Sequence, residues 1–189
     1  MNKHTKRILI IVDVINQLKS RRFTARPGHY IYEPSLLAIM GGAGGHRQTE
    51  GNGKDVQKAT CTLKHCEACA KGTLFLSYIE RFNTVDSATL NRSHEFGFIE
   101  NKTGLGEIFA PNLLAEIEAA FEGNWYVVIP GLTDEARKKV YAWRQKTLAT
   151  VKGYTSSKPM NKHSKKIRNA FLIAIMETLL ENNGTKLVL

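Results

Sequence analysis

Apolar side chains recur at three- and four-residue intervals in separate windows along this chain, and that period commits most of it to helix. Ile8, Ile11, Val12, Ile15 and Leu18 share one face of a first helix, which Thr5 can cap. The run ILIIVDV would also suit a buried strand, but the period continues to Leu18 and favours helix. A second helix is expected over 66–82, with Cys66 and Cys69 on the same face as Thr73 and Leu76. Leu113, Leu114, Ile117, Ala120 and Phe121 mark a third, with Pro111 suited to its first turn and Gly123 to its end. Thr133, Asp134 and Glu135 start a fourth, which buries Val140, Trp143, Thr147 and Leu148. The last starts near Ser164, buries Ile167, Phe171, Ile175 and Leu179, and stops at Gly184.

Short extended pieces are expected at Tyr30–Tyr32 after a Pro27-Gly28 turn, at Trp125–Ile129 and in the tail TKLVL. The expected fold class is therefore mainly α with a few short strands (α+β), in a single compact helical domain over residues 1–189. The polar, glycine-rich residues 44–60 read as a flexible loop within it. At 42% hydrophobic and 23% charged residues the composition is that of a globular chain. No apolar run approaches the roughly 18 residues of a membrane span. The start, MNKHTKR before ILIIVDVINQL, is broken by Asp13 and Asn16 and lacks a small-residue cleavage site, so a cytoplasmic protein is expected. Three cysteines, an odd number, fit a reducing compartment.

Charge is unevenly placed. The formal net charge is +10. Residues 1–30 hold seven Lys and Arg against one Asp, and residues 31–136 hold eight basic against fourteen acidic residues. Residues 137–168 hold eleven basic residues and no acid. Crowding like charges stabilises no fold by itself, so the asymmetry points to an anionic partner. In this stretch Lys138, Arg144, Lys158, Lys162, Lys165, Lys166 and Arg168 would line a surface, with Tyr141, Trp143 and Tyr154 interleaved. Cations neutralise phosphate, aromatic faces stack on bases, and Ser156 and Ser157 would donate hydrogen bonds to an anion. Tyr141 and Trp143 are residue types more often found in a core, so the charges carry the expectation.

The cysteines suggest chemistry but do not complete it. Zinc needs four Cys or His ligands, and Cys61, His65, Cys66 and Cys69 would have to supply them without a second CxxC or an HxxxH. A redox pair needs a preceding strand and a helix N-terminus, and TCTLKH makes a poor strand. Small thiols that pack where larger side chains would not fit are the favoured reading, aided by Gly72. Neither metal nor cofactor is expected. GGAGG and EGNGKD are not phosphate loops: Gln48 stands where the first Walker glycine belongs, and Asp55 follows Lys54. GGAGGH has no third glycine opening a helix, and no GxSxG, HExxH or paired-carboxylate pattern is present. Glu116, Glu118 and Glu122 read as a solvated helix face. A non-enzymatic protein is expected.

Four segments together, RILIIVDVINQLKSRRFTARPGHYI, CEACAKGTLFLSYI, LLAEIEAAFEG and IRNAFLIAIMETLLENNGT, resemble small accessory proteins of tailed phages. The shared marks are an A-x-x-G-x-Y turn, a CxxCAxGA-type helix (with Thr73 for its last Ala), an IE-x-AFE helix and a closing IM-x-x-x-x-x-N-x-G-T. The resemblance implies a phage accessory protein with no catalytic residues, of a kind that often counters host defence from the host cytoplasm. The expected partner is then an anionic, nucleotide-type small ligand that the protein sequesters. The alternatives are a nucleic acid tracked by residues 137–168, or a host defence protein bound directly, with homo-oligomerisation left open.

Overall fold

A computed structural model describes residues 1–28, 66–82, 104–123 and 132–187. These residues form α1 (Lys3–Lys19), β1 (Phe23–Ala25), β2 (Cys66–Ala68), α2 (Ala70–Phe82), α3 (Leu105–Ile108), α4 (Pro111–Glu122), α5 (Asp134–Thr150), a 3-10 turn (Met160–Lys162) and α6 (Lys165–Glu181). The fold is mostly helical, with one small parallel sheet. α1 packs along α6 and α2, while α4 packs against α5, α2 and α6. Between them lies one core that includes Phe23, Phe75, Phe109, Phe121 and Phe171, all fully buried.

Local chemistry sets the helix ends. Asn2, not Thr5, caps α1: its Oδ1 accepts from the Thr5 N–H at 2.8 Å and from the Thr5 hydroxyl at 2.9 Å. Thr133 and Ser164 cap α5 and α6 by accepting from the Ala136 and Ile167 N–H groups. Pro111 opens α4, and Gly123 closes it at φ +64°, where a Cβ would run into the Arg144 guanidinium. Beyond α6, Gly184 sits at φ +66°, and a Cβ there would meet the Arg7 side chain and Ile11. Only glycine lets the end of α6 lie this close to α1.

Asp13 interrupts the apolar run of α1, yet it points inward. The Ser77 hydroxyl and the Arg81 guanidinium each donate to it at 2.8 Å, so the buried carboxylate is paired.

The segment at 66–68 departs from the helix expected there. Cys66 to Ala68 pair in parallel with Phe23 to Ala25, in the register Phe23↔Cys66, Thr24↔Glu67 and Ala25↔Ala68. The Cys66 N–H donates to the Arg22 carbonyl and the Arg26 N–H to the Ala68 carbonyl, and this tertiary pairing overrides the local helical period. Helix starts only once the Cys69 carbonyl accepts from the Thr73 N–H. Thr185 to Leu187 form no strand. The expected pieces at 30–32 and 125–129, the loop at 44–60, and Cys61 and His65 lie outside the described residues. Among the described residues no helix is long and apolar enough to cross a membrane.

Candidate anion-binding site

Where α1 ends, the chain turns into β1 through Arg21, which adopts φ +62°. The first turns of α6 lie across this corner. Asn169 joins the three elements: its Oδ1 accepts from the Ala25 N–H at 2.8 Å, and its Nδ2 donates to the Leu18 and Phe23 carbonyls at 3.3 and 3.2 Å. The corner frames a groove of about 610 Å³, within the size range of small-molecule sites. Leu18, Ala170 and Ile173 supply apolar surface, and Lys19, Arg21, Lys165 and Lys166 supply charge.

Two of the four cations already have partners. Lys19 Nζ lies 3.1 Å from Glu177, and Lys165 Nζ lies 2.6 Å from Glu67. Arg21 and Lys166 form no ion pair among the described residues. Lys165 and Lys166 also occupy the first turn of α6, which holds no acid. Cations there oppose the positive end of the helix dipole, whereas α5 starts conventionally with Asp134 and Glu135. A bound anion would answer the free cations and the helix end together.

Of the residues expected to line a ligand surface, Lys165 and Lys166 meet in this groove and the others do not line it. Arg168 is half-buried beside Glu67 and Arg26, and burial lowers its pKa. Lys138 is exposed on α5, while Ser156, Lys158 and Lys162 are exposed between α5 and α6. Arg144 belongs to the interior. It is 8% exposed, its Nε donates to the Ala120 carbonyl at 2.7 Å, and its guanidinium lies 5.6 Å from the Phe171 ring centre. Tyr154 is engaged internally as well, with its ring against His163 and its hydroxyl bonded to Arg144. Of the aromatic residues read as a stacking platform, Trp143 and Tyr154 pack against the core, while Tyr141 is exposed on α5. Sequence reasoning passed over Lys19, Arg21 and Asn169. The seven-to-one basic excess of residues 1–30 was the signal for the first two.

The buried thiols sit elsewhere. Cys66 and Cys69 are both buried, and they lie on β2 and just beyond it rather than on one helix face. Glu118 is buried, not solvated: its carboxylate accepts from the Lys71 N–H at 3.1 Å, from the Cys69 thiol and from Glu122. Burial, then the Glu118 charge, push the Cys69 thiol well above its ordinary range. The same two causes push Glu122 up to about 8, while its Oε1 accepts from the Gly28 N–H at 2.7 Å. Cys69, Glu118 and Glu122 bring their ligand atoms within 4.8 Å of one another, a donor set a divalent cation could use. The Lys71 and Gly28 N–H groups each already donate to one of its two carboxylates. A raised thiol pKa is also the opposite of what a redox cysteine needs.

No protein-family model, curated protein or solved structure matches the chain.

Proposed function

We propose that this protein is a non-enzymatic accessory protein of phage type, which captures an anionic nucleotide-like ligand and so blunts a host defence signal. The groove between α1, β1 and α6 supports the reading: an apolar floor for a base, with Arg21 and Lys166 free to meet phosphate. The phage and counter-defence parts rest on the sequence resemblance alone.

Isothermal titration with ADP as the probe tests the site. Wild type binds, and a variant carrying Arg21→Glu and Lys166→Glu loses affinity by about a hundredfold, roughly tenfold for each reversed cation. Equal affinity in the two proteins refutes the groove assignment.

The second reading, a nucleic-acid binder, draws on Lys138, Lys146, Lys152, Lys158 and Lys162, which are exposed and unpaired among the described residues. It predicts single-strand affinity that falls steeply with salt, in proportion to the phosphates contacted.

A further inference from the structure

Tyr141 is the one large aromatic residue left exposed among the described residues, at 37%. It is also held in place. Arg144, three positions on, lies close enough to interact with it electrostatically, and Arg144 is itself fixed to the Ala120 carbonyl at 2.7 Å. Beside the ring, Lys138, Ala142 and Lys146 recur every four residues and form one exposed ridge of α5. Lys152, exposed in the turn beyond α5, continues it. None of Lys138, Lys146 and Lys152 forms an ion pair among the described residues. The acids at the head of α5 do not cancel this charge, because Asp134 and Glu135 already pair with Arg137 at 3.7 Å and Lys139 at 2.7 Å.

We propose that this ridge docks single-stranded nucleic acid, with Tyr141 stacked on an unpaired base while Lys138, Lys146 and Lys152 neutralise the neighbouring phosphates. The inference rests on the nucleic-acid reading of these lysines, and it deepens that reading by naming the form of the nucleic acid and the side chain that meets its bases. Charge complementarity alone would suit a duplex equally well. The exposed ring favours the single strand. Bases in a duplex are already stacked on one another, whereas an unpaired base can turn its face onto an aromatic side chain. A ring already held by its neighbour loses little freedom when a base arrives. The stack tolerates any sequence, since every base offers a π-face. The ridge is separate from the groove, which neither Tyr141 nor these three lysines line.

The test is fluorescence anisotropy with labelled oligo-dT, with the same strand annealed to oligo-dA, and with an abasic strand of equal length. Each protein is first checked for native circular dichroism. Wild type should hold oligo-dT about tenfold more tightly than the duplex, with a salt slope of about −2 for three phosphates. Tyr141→Ala should weaken oligo-dT about tenfold and leave the abasic strand unchanged, while Tyr141→Phe keeps the wild-type affinity. A merely structural role for Tyr141 would move both strands alike. If Tyr141→Ala does not fold, Tyr141→Leu carries the comparison, since it keeps an apolar side chain and removes the π-face. Lys138→Gln, Lys146→Gln and Lys152→Gln together should weaken all three probes. If the lysine variant loses affinity but Tyr141→Ala binds oligo-dT as wild type does, or the duplex binds as tightly as the single strand, the inference is overturned and the nucleic-acid reading stands. If no probe binds wild type, or the lysine variant binds as wild type does, that reading fails and takes the inference with it.

Discussion

Glu122 should make the stability of this protein depend on pH in an unusual direction. An ordinary glutamate titrates near 4.5, whereas burial beside Glu118 raises Glu122 to about 8. The folded chain therefore holds a proton that the unfolded chain releases. Stability from this group is complete below about pH 4.5 and is lost as the pH rises to about 8. Over the interval from about pH 5 to about pH 8 the loss comes to roughly 3–4 kcal/mol, at about 1.4 kcal/mol per pH unit. Glu122→Gln imitates the protonated side chain. Its amide oxygen can still accept from the Gly28 N–H, its NH2 can donate to Glu118, and it has no proton to lose. Urea unfolding at a series of pH values should show the wild-type midpoint falling across this window and the variant's falling much less. Near pH 8 the variant should be the more stable by about 3 kcal/mol. Parallel curves, or a variant less stable than wild type near pH 8, would refute the reasoning.

Asp13→Ala leaves Arg81, Ser77 and Gln17 without their shared acceptor. It should cost about 3–5 kcal/mol in urea unfolding, with Asp13→Asn costing less. A loss below about 1 kcal/mol would mean the inward carboxylate adds nothing. Cys66 and Cys69 should resist alkylation in the folded protein and react only on unfolding, because burial protects both and keeps the Cys69 thiol protonated. Peptide mapping after brief iodoacetamide treatment checks this, and rapid native labelling of Cys69 would contradict it.

The helices were legible because their signals are local. The period of α1, Pro111 and Gly123 around α4, and the caps Thr133 and Ser164 all act within a few residues of the turns they shape. What depends on distant partners was not. Asp13 looks like an interruption until Ser77 and Arg81, 64 and 68 positions away, are seen beside it. The strand at Cys66 exists because Phe23 to Ala25 pair with it, and its own residues suggest helix. The candidate site divides the same way. The acid-free run pointed to Lys165 and Lys166, but not to which of its eleven cations share a surface. Arg144 carries the same charge as its neighbours and is buried, because Gly123 leaves room for its guanidinium over Phe171. Arg21 joins Lys166 only through the docking of α6 on the end of α1.

Capture of an anionic ligand between α1 and α6 is the central claim, and native mass spectrometry tests it most directly. Wild type and the variant carrying Arg21→Glu and Lys166→Glu would be purified from the same expressing cells, weighed intact, then heated to release and identify anything bound. The account predicts a stoichiometric, phosphate-bearing, nucleotide-type mass on wild type that is missing from the variant. A wild-type protein that carries no such mass, even after incubation with cell extract, or a variant that retains it, would contradict the account.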